Sequence, residues 1–537
     1  MSSCLMAAVG RAVLFALTLL AAGVAQAQSG LPERFTLTEI RVKGNTVLPR
    51  VEVERAIYPH LGPGKAESDM LAARDALAAA YERAGYLSVV VRPVSVTRQA
   101  KDAFYFTFQV AEGTVERVKV SGARYNLPSD IRAEAASVKA GTAPHFPSLQ
   151  EDLGRLARRA DMSVTPILRP GRDPGRMEVD LQVEDKLPLH GSVELSNRQS
   201  ADTSARRLEA SLRYDNLWQM QHSVGLRFIN SPLDPDQVEV WSGTYAMPIG
   251  NAGKRLTLFA VQSNSDVVTA DDFGSQGRGT TLGLRYSIPL PARNSGLFHS
   301  FTVGVDYKHL KESSGLAGAD TSDKPVSYLP LSLQYNGALP GAERTLRFGA
   351  GATVGLRGLN ENSVNCDGIA RVDQFECRRS GARRNFLAGR FDLGLTEMLG
   401  RWKAEANLET QWASGPLISS EQFAVGGRSS VRGYLEAEAL GDDGARLGLQ
   451  LTSPAFAPGE WPLGVNALAF FESGWVHTQE ALAGQVSTEV LAGAGIGLRA
   501  VAGRYLNAAV DYAWALREGP RTDKGTKRWH VSLGLEF

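Results

Sequence analysis

The chemistry open to this chain is concentrated in two places. In Gly426-Gly427-Arg428-Ser429-Ser430-Val431-Arg432-Gly433-Tyr434, two arginines sit among glycines and serines, and an aromatic closes the run. Glycine there permits left-handed backbone angles and close approach of the chain to a neighbour. A guanidinium on such a loop calls for an anion. The best candidate is Glu472, in Phe470-Phe471-Glu472-Ser473-Gly474. The chemistry implied is ion pairing, because Arg offers a carboxylate a forked pair of donors. Taken alone, the stretch also fits a surface turn with a solvated arginine. The second place is Cys366 and Cys377, with ten residues between them and no histidine nearby. A metal site would need more ligands.

No catalytic constellation accompanies these residues. Gly62-Pro63-Gly64-Lys65 resembles a phosphate loop only in part, because Pro59 and Ala66 stand where the motif needs Gly and a hydroxyl residue. It reads as a turn before a helix. The eight histidines form no metal-protease pattern, and no Gly-x-Ser-x-Gly occurs. The chain is therefore expected not to be an enzyme and to need no cofactor. With 58 basic against 57 acidic residues, no basic excess points to nucleic acid.

The elements that must position these residues begin after a targeting segment. Arg11 precedes an uncharged run at 12–24, and Ala25-Gln26-Ala27 is a small-x-small cleavage site, so residues 1–27 read as a signal peptide. No later run approaches the roughly 18 apolar residues of a membrane helix. An exported chain that enters a membrane must then use strands. In an oxidising compartment a close cysteine pair is bridged, which predicts a Cys366–Cys377 disulfide.

Residues 35–112 read as β-α-α-β-β: a strand at 35–42, helices from Pro49 to Ala56 and over 68–84, then strands at 87–96 and 104–110. Gly85 is a natural helix terminator. Residues 113–185 repeat the order, with a strand at 115–120, helices at 131–138 and 148–159, and strands at 164–168 and 177–183. Two such units, with Gly85-Tyr86 before a strand and Glu112-Gly113 at the junction, resemble POTRA domains.

From 187 to 537 the texture changes to alternating stretches without long helices. Sixteen can be counted: 189–198, 206–216, 223–230, 237–247, 255–263, 280–289, 298–310, 327–338, 344–356, 385–398, 401–413, 446–453, 464–476, 490–500, 504–516 and 528–537. Connections alternate between short (399–400, 501–503) and long (310–326, the cysteine segment, 426–434). Membrane barrels pair short turns on one side with long loops on the other. If the first strand rises from the periplasm, the cysteines lie in outer loop five, Arg432 in outer loop six and Glu472 on the thirteenth strand. The fold class expected is two α+β POTRA domains followed by a 16-stranded antiparallel transmembrane β-barrel. A soluble sandwich rarely needs so many even strands.

Val431-Arg432-Gly433-Tyr434 is similar to the signature of a loop that folds back into the barrel of POTRA-plus-barrel outer-membrane proteins. Phe470-x-Glu472-x-Gly474 is similar to its partner motif, with Glu for Asp. A last strand ending in Phe537 resembles the assembly signal read by the barrel-assembly machinery. Beyond the leader, the chain resembles the TpsB transporters of two-partner secretion, relatives of BamA and TamA. The resemblance implies a protein in the outer membrane of a Gram-negative bacterium, in contact with its lipid, with the POTRA domains in the periplasm. It implies a large secreted exoprotein as unfolded client, passed through the barrel without ATP. The alternative is a BamA- or TamA-like insertase for other barrels, although those chains carry more POTRA units. A passive pore or receptor would need neither periplasmic domain. Many TpsB proteins begin with a plug helix; here only 28–34 precede the first strand, so none is expected in the lumen and loop six becomes the expected obstruction.

Overall fold

The computed structural model describes residues 31–537 apart from 158, 160, 202, 251–252, 265–277, 292–295, 315–321, 357–362, 367–368 and 458–461. The expected leader, and 28–30 of the stretch ahead of the first strand, lie outside the described residues. The chain divides into two compact units that meet at Leu187 and Pro188.

In the first unit, β1 (Phe35–Lys43) is followed by α1 (Arg50–Ile57), β2 (Gly62–Lys65), α2 (Glu67–Arg83), β3 (Val89–Ala100) and β4 (Ala103–Glu112). The sheet order is β2-β1-β4-β3, with β1 and β4 parallel. A parallel pair needs a long crossover, which α1 and α2 supply. Leu37, Leu77, Tyr81, Phe106 and Phe108 form the core between helices and sheet. At the end of α2, Gly85 has a φ of 86° and the Tyr86 N–H donates to the Tyr81 carbonyl at 2.9 Å, the geometry of a glycine-terminated helix. The segment at 62–65 corrects the expectation of a simple turn. It pairs antiparallel with the start of β1 as a four-residue edge strand. Its glycines and proline carry turn chemistry, and only the tertiary contact with β1 holds it extended. Proline is tolerated there because an edge strand has one side free of the ladder.

A second module follows: β5 (Thr114–Ser121), α3 (Pro128–Glu134), α4 (Phe146–Leu156), β6 (Met162–Pro170) and β7 (Arg176–Asp185). Its sheet order is β5-β7-β6, and Ile131, Leu149, Leu156, Val179 and Leu181 make its core. α3 starts and stops earlier than the apolar spacing at 131–138 suggested, because Pro128 opens it and Ala135 leaves helical geometry.

Asp185, the last residue of β7, ties this module's end to its first loop. Its carboxylate accepts the backbone N–H groups of Arg124, Tyr125 and Asn126 and the Asn126 side-chain amide, at 2.7–3.1 Å. Burial pushes the carboxyl pKa up, but these donors outweigh it and the net shift is downward. The folded state thus binds this proton less readily than the unfolded chain. The stabilisation is complete above the unfolded carboxylate value of about 4 and is lost as pH falls below it towards the lower folded value. Urea titration of fragment 31–187 should show that loss, and Asp185→Asn should remove this part of the pH dependence. An unchanged pH profile in the variant would refute the assignment.

The second unit is a closed antiparallel barrel of sixteen strands. They are β8 (Leu189–Ser196), β9 (Arg207–Leu217), β10 (His222–Asn230), β11 (Glu239–Ile249), β12 (Lys254–Ser263), β13 (Arg278–Leu290), β14 (Phe298–Ser314) and β15 (Ser322–Tyr328 continuing as Pro330–Pro340). Then come β16 (Arg344–Gly355), β17 (Leu387–Leu399), β18 (Trp402–Ala413), β19 (Asp443–Thr452), β20 (Leu463–His477), β21 (Thr488–Ala502), β22 (Leu506–Ala515) and β23 (Lys527–Glu536). Pairing of β23 with β8, from Ser532↔Ser196 to Glu536↔Ser192, closes the cylinder. At one end of this seam the backbones of Gly191 and Phe537 exchange hydrogen bonds at 2.9 and 3.0 Å. The Phe537 ring lies where any Cβ at Gly191 would stand. At the other end the Asn197 side chain bonds the Trp529 carbonyl and the Val531 N–H, at 2.7 Å each.

The side-chain pattern is that of a barrel in an apolar solvent. Along β23, Val531, Leu533 and Leu535 are exposed while His530 and Ser532 are buried; along β19, Leu447, Leu449 and Leu451 are exposed while Arg446 and Gln450 face inward. Strand alternation places polar groups in the lumen and apolar groups on the wall's outer face. Connections at one end are short, as at 341–343, 400–401 and 503–505. Those at the other include the two longest, 356–386 and 414–442, which are the fifth and sixth long-end loops.

Candidate functional site

Loop six turns back into the barrel because its base is zipped and its tip is glycine-rich. Short strands Phe423–Val425 and Ala439–Gly441 pair with each other inside the lumen. Gly426 and Gly427, with φ of 111° and 96°, then start a tight turn in which the Gly427 N–H donates to the Val431 carbonyl at 3.1 Å. Gly433 has a φ of 104° and passes so close to Trp514 and Ala515 that a Cβ would lie 3.2 Å from their backbone atoms. Val431 and Tyr434 are fully buried on either side.

The turn delivers Arg432 to the lumen face of β20. Glu472 Oε2 accepts the Arg432 backbone N–H at 2.7 Å, and Oε1 accepts Nε at 2.9 Å and Nη2 at 2.5 Å. One carboxylate thus holds both the main chain and the side chain of one residue, which fixes a single loop conformation. The guanidinium carbon lies 3.4 Å from the centre of the Phe470 ring, a cation–π contact. Gly474 leaves room for Val425 and Val431. Phe470, Glu472 and Gly474 are two apart along the strand, so all three face the lumen. The spacing of the motif is the pleat of the strand. Arg432 and Glu472 are 5% and 8% exposed, which puts the pair at the buried extreme rather than in a half-wet lumen.

Further partners were not evident from the sequence. Gln450 Oε1 accepts Arg432 Nη2 at 3.2 Å, and Asp511 lies 3.5 Å from Nη1. Asp511 is fully buried and is also held by both terminal nitrogens of Arg499, at 2.7 and 2.9 Å. His530 Nε2 accepts the Gly433 N–H at 3.1 Å. The available signal was a lone acid in Ala508-Ala509-Val510-Asp511-Tyr512 and a lone histidine beside Val531. Asp511 is the one charged residue of its strand, and His530 is an inward residue between outward-facing Trp529 and Val531.

Other loops hold the tip down. The Tyr434 hydroxyl lies 3.0 and 2.8 Å from the carbonyls of Ala492 and Arg517. Glu438 accepts the Arg521 N–H at 2.7 Å and the Thr522 hydroxyl at 3.0 Å. In loop five, Cys366 and Cys377 are disulfide-bonded. The bond ties a small hairpin, Ser363–Cys366 with Ile369–Asp373, to the short helix α5 (Gln374–Arg378). In the chain-entropy account, closing a loop of this size contributes about 3 kcal/mol. Because the loop closed lies wholly within loop five, Cys366→Ser with Cys377→Ser should leave barrel insertion intact. It should expose 363–386 to protease on intact cells. Equal protease resistance of the two forms would sink this reading.

The comparisons with known proteins agree with this architecture. The family model of the haemolysin secretion/activation protein ShlB/FhaC/HecB matches residues 175–500, and the ShlB-type POTRA domain model matches 35–97. The outer membrane transporter CdiB of Escherichia coli is 23% identical over 482 residues, which span 87% of this chain and 77% of that protein. CdiB of Dickeya dadantii (strain 3937) is 22% identical over 520 residues, 94% of this chain and 87% of its own. The solved structure of CdiB from Escherichia coli superposes with a TM-score of 0.65 at 19% identity, covering 99% of this chain and 96% of that one.

Proposed function

Since the chain belongs to the ShlB/FhaC/HecB family of haemolysin secretion/activation proteins, we propose that it secretes one large exoprotein, received unfolded in the periplasm by two POTRA domains, 35–112 and 113–185, and passed through the barrel at 187–537. The chain is an outer-membrane transporter of the two-partner type with a periplasmic POTRA region. The observation that carries the finer reading is a closed barrel whose polar lumen is obstructed by its own loop tip, held through Arg432 and Glu472.

In the first module, β3 is a twelve-residue edge strand that pairs with β4, its ladder interrupted at Pro93/Ser95 and Arg98/Ala100. Val90, Val94 and Val96 are exposed along it. An extended client segment adds to such an edge through backbone hydrogen bonds, which give affinity with little demand on sequence. β2, at the opposite edge, is only four residues long, a poor template. No nucleotide is needed if the client folds outside and cannot return. Phe537, at the closing seam, is read as the residue by which the barrel-assembly machinery recognises the last strand, and the apolar outer wall as the surface that lipid covers.

A deletion strain tests the proposal. It should lack one large secreted protein and keep its other outer-membrane barrels. A normal secreted set with depleted barrels would favour an assembly factor of the BamA type, a role that the family model and the CdiB likeness do not favour.

A further inference from the structure

The docked tip does not fill the barrel. Val431–Tyr434 lies against β19–β23, and on the other side of loop six a chamber of about 730 Å³ remains between the loop and the wall from β12 to β18. Inward-facing Ser332, Gln334, Asn336, Thr353, Arg390 and Asp392 line it. The charges around it are largely matched: Arg285 with Asp306, Lys308 with Glu421 and Arg446 with Glu409. Uncharged amides and hydroxyls can exchange hydrogen bonds with a passing peptide backbone. A wall of balanced charge gives no strong hold on a client of either sign, and conduction needs binding weak enough to release.

At its outer end the chamber is roofed. Leu310, Val326, Tyr328 and Ala413, at outer strand ends, and Phe386, the last residue of loop five, pack with Leu417 and Ile418 of loop six around Phe375 of α5. Below this cluster the Tyr328 hydroxyl donates to Glu421 at 2.5 Å, and Lys308 pairs with the same carboxylate at 2.7 Å. Phe375, which α5 places at the centre of the cluster, is 1% exposed.

Loop five is fastened by bonds of two kinds. The Gln374 amide imitates a neighbouring strand: its Oε1 accepts the Ser327 N–H at 2.9 Å and its Nε2 donates to the Ser327 carbonyl at 2.7 Å. This covers β15 beyond Pro330, where its ladder with β16 ends. Arg379 then forks onto Asp442 of loop six, a fully buried carboxylate, and donates to the Gln479 carbonyl of loop seven (478–487, between β20 and β21) at 2.9 Å. These fastenings at Gln374 and Arg379 are side-chain bonds between loop five and other elements. The internal disulfide ties Cys366 of the hairpin to Cys377 of α5.

We propose that the client crosses the barrel along the chamber wall, between loop six and β13–β18, with the docked tip staying on the opposite wall, and that α5 with Arg379 after it is the flap over the outer end of this path. The proposal rests on the transporter reading, but its test needs no client. The full chain, carrying Cys4→Ser and with its native disulfide oxidised, is placed in planar bilayers. Arg379→Gln, which removes the fork without emptying the core, and separately Phe375→Ala should each raise conductance several-fold. The barrel should keep its heat-modifiable migration in gels. In the Arg379→Gln background, Asn336→Cys treated with a maleimide-linked polyethylene glycol should lose more than half of that current. Ser532→Cys, on the opposite wall, should lose none. Conductance that Arg379→Gln leaves unchanged would overturn the flap. Block through Ser532→Cys but not Asn336→Cys would overturn the path. The transporter reading fails by a different result, an unchanged secreted set in the deletion strain.

Discussion

Arg432→Ala should leave the barrel in the outer membrane and abolish most secretion. The substitution removes two side-chain hydrogen bonds to Glu472, the contact with Gln450 and the cation lying over Phe470. The backbone N–H survives, so the loss is that of the side chain. Glu472 is left buried among apolar neighbours, and breaking such a pair costs about 3–5 kcal/mol. At 1.36 kcal/mol per tenfold change, the ratio of docked to undocked tip falls by a factor of about one hundred to a few thousand. The cost falls on docking and not on the barrel, because the pair joins a loop to a wall already closed by its own ladder. Arg432→Lys restores charge without the fork and should recover only part of the activity. Glu472→Gln should resemble Arg432→Ala, and the double variant should add little to either one, since both remove one interaction. The measurements are secretion of the partner and single-channel conductance. Additive defects would mean that the two residues act separately. Asp511, 3.5 Å from Arg432 Nη1, keeps its pairing with Arg499 in every variant.

A second large effect is expected where no charge changes. Gly493 on β21 faces the tip so closely that a Cβ would stand 2.1 Å from the Arg432 carbonyl oxygen. Backbone cannot yield as a flexible side chain can, so Gly493→Val should push the tip off the wall with Arg432 and Glu472 both present. Overpacking of this kind costs typically about 1–3 kcal/mol where a core can adjust; here the undocked loop is the adjustment. Secretion should fall towards the Arg432→Ala level, and protease should cut within 426–434. Gly243→Val on β11 is the matched control, because a Cβ there meets nothing within 4 Å. Normal secretion by Gly493→Val would mean that the tip need not stay docked.

Much of the barrel was readable because a half-buried strand writes its own period. Alternation and turn residues placed sixteen strands within a few residues of their observed ends, and each strand's environment repeats every second position. Elements whose form depends on a distant neighbour were not readable. Gly62–Lys65 carries turn residues and becomes a strand only through β1. Gln374 is an ordinary polar residue until it meets the backbone of Ser327. The candidate site divides in the same way. Arg432 and Glu472 are visible through unusual local surroundings, a guanidinium among glycines and an acid among phenylalanines. Asp511, Gln450 and His530 belong to separate strands that only the closed cylinder brings together. The depth of burial was also unreadable, since it comes from loops one, five, seven and eight packing over the sixth.

The two-sided lumen also has an evolutionary consequence. On the side of β19–β23, Gly474 and Gly493 face the loop tip at contact distance, and a single added methyl at Gly493 collides with backbone. The chamber side has open space in front of Ser332, Gln334 and Asn336. Lineages that acquire a different exoprotein are therefore free to vary the second wall while the first stays fixed. Selection for new cargo and selection for a closed gate act on different strands of one cylinder, so neither has to compromise the other.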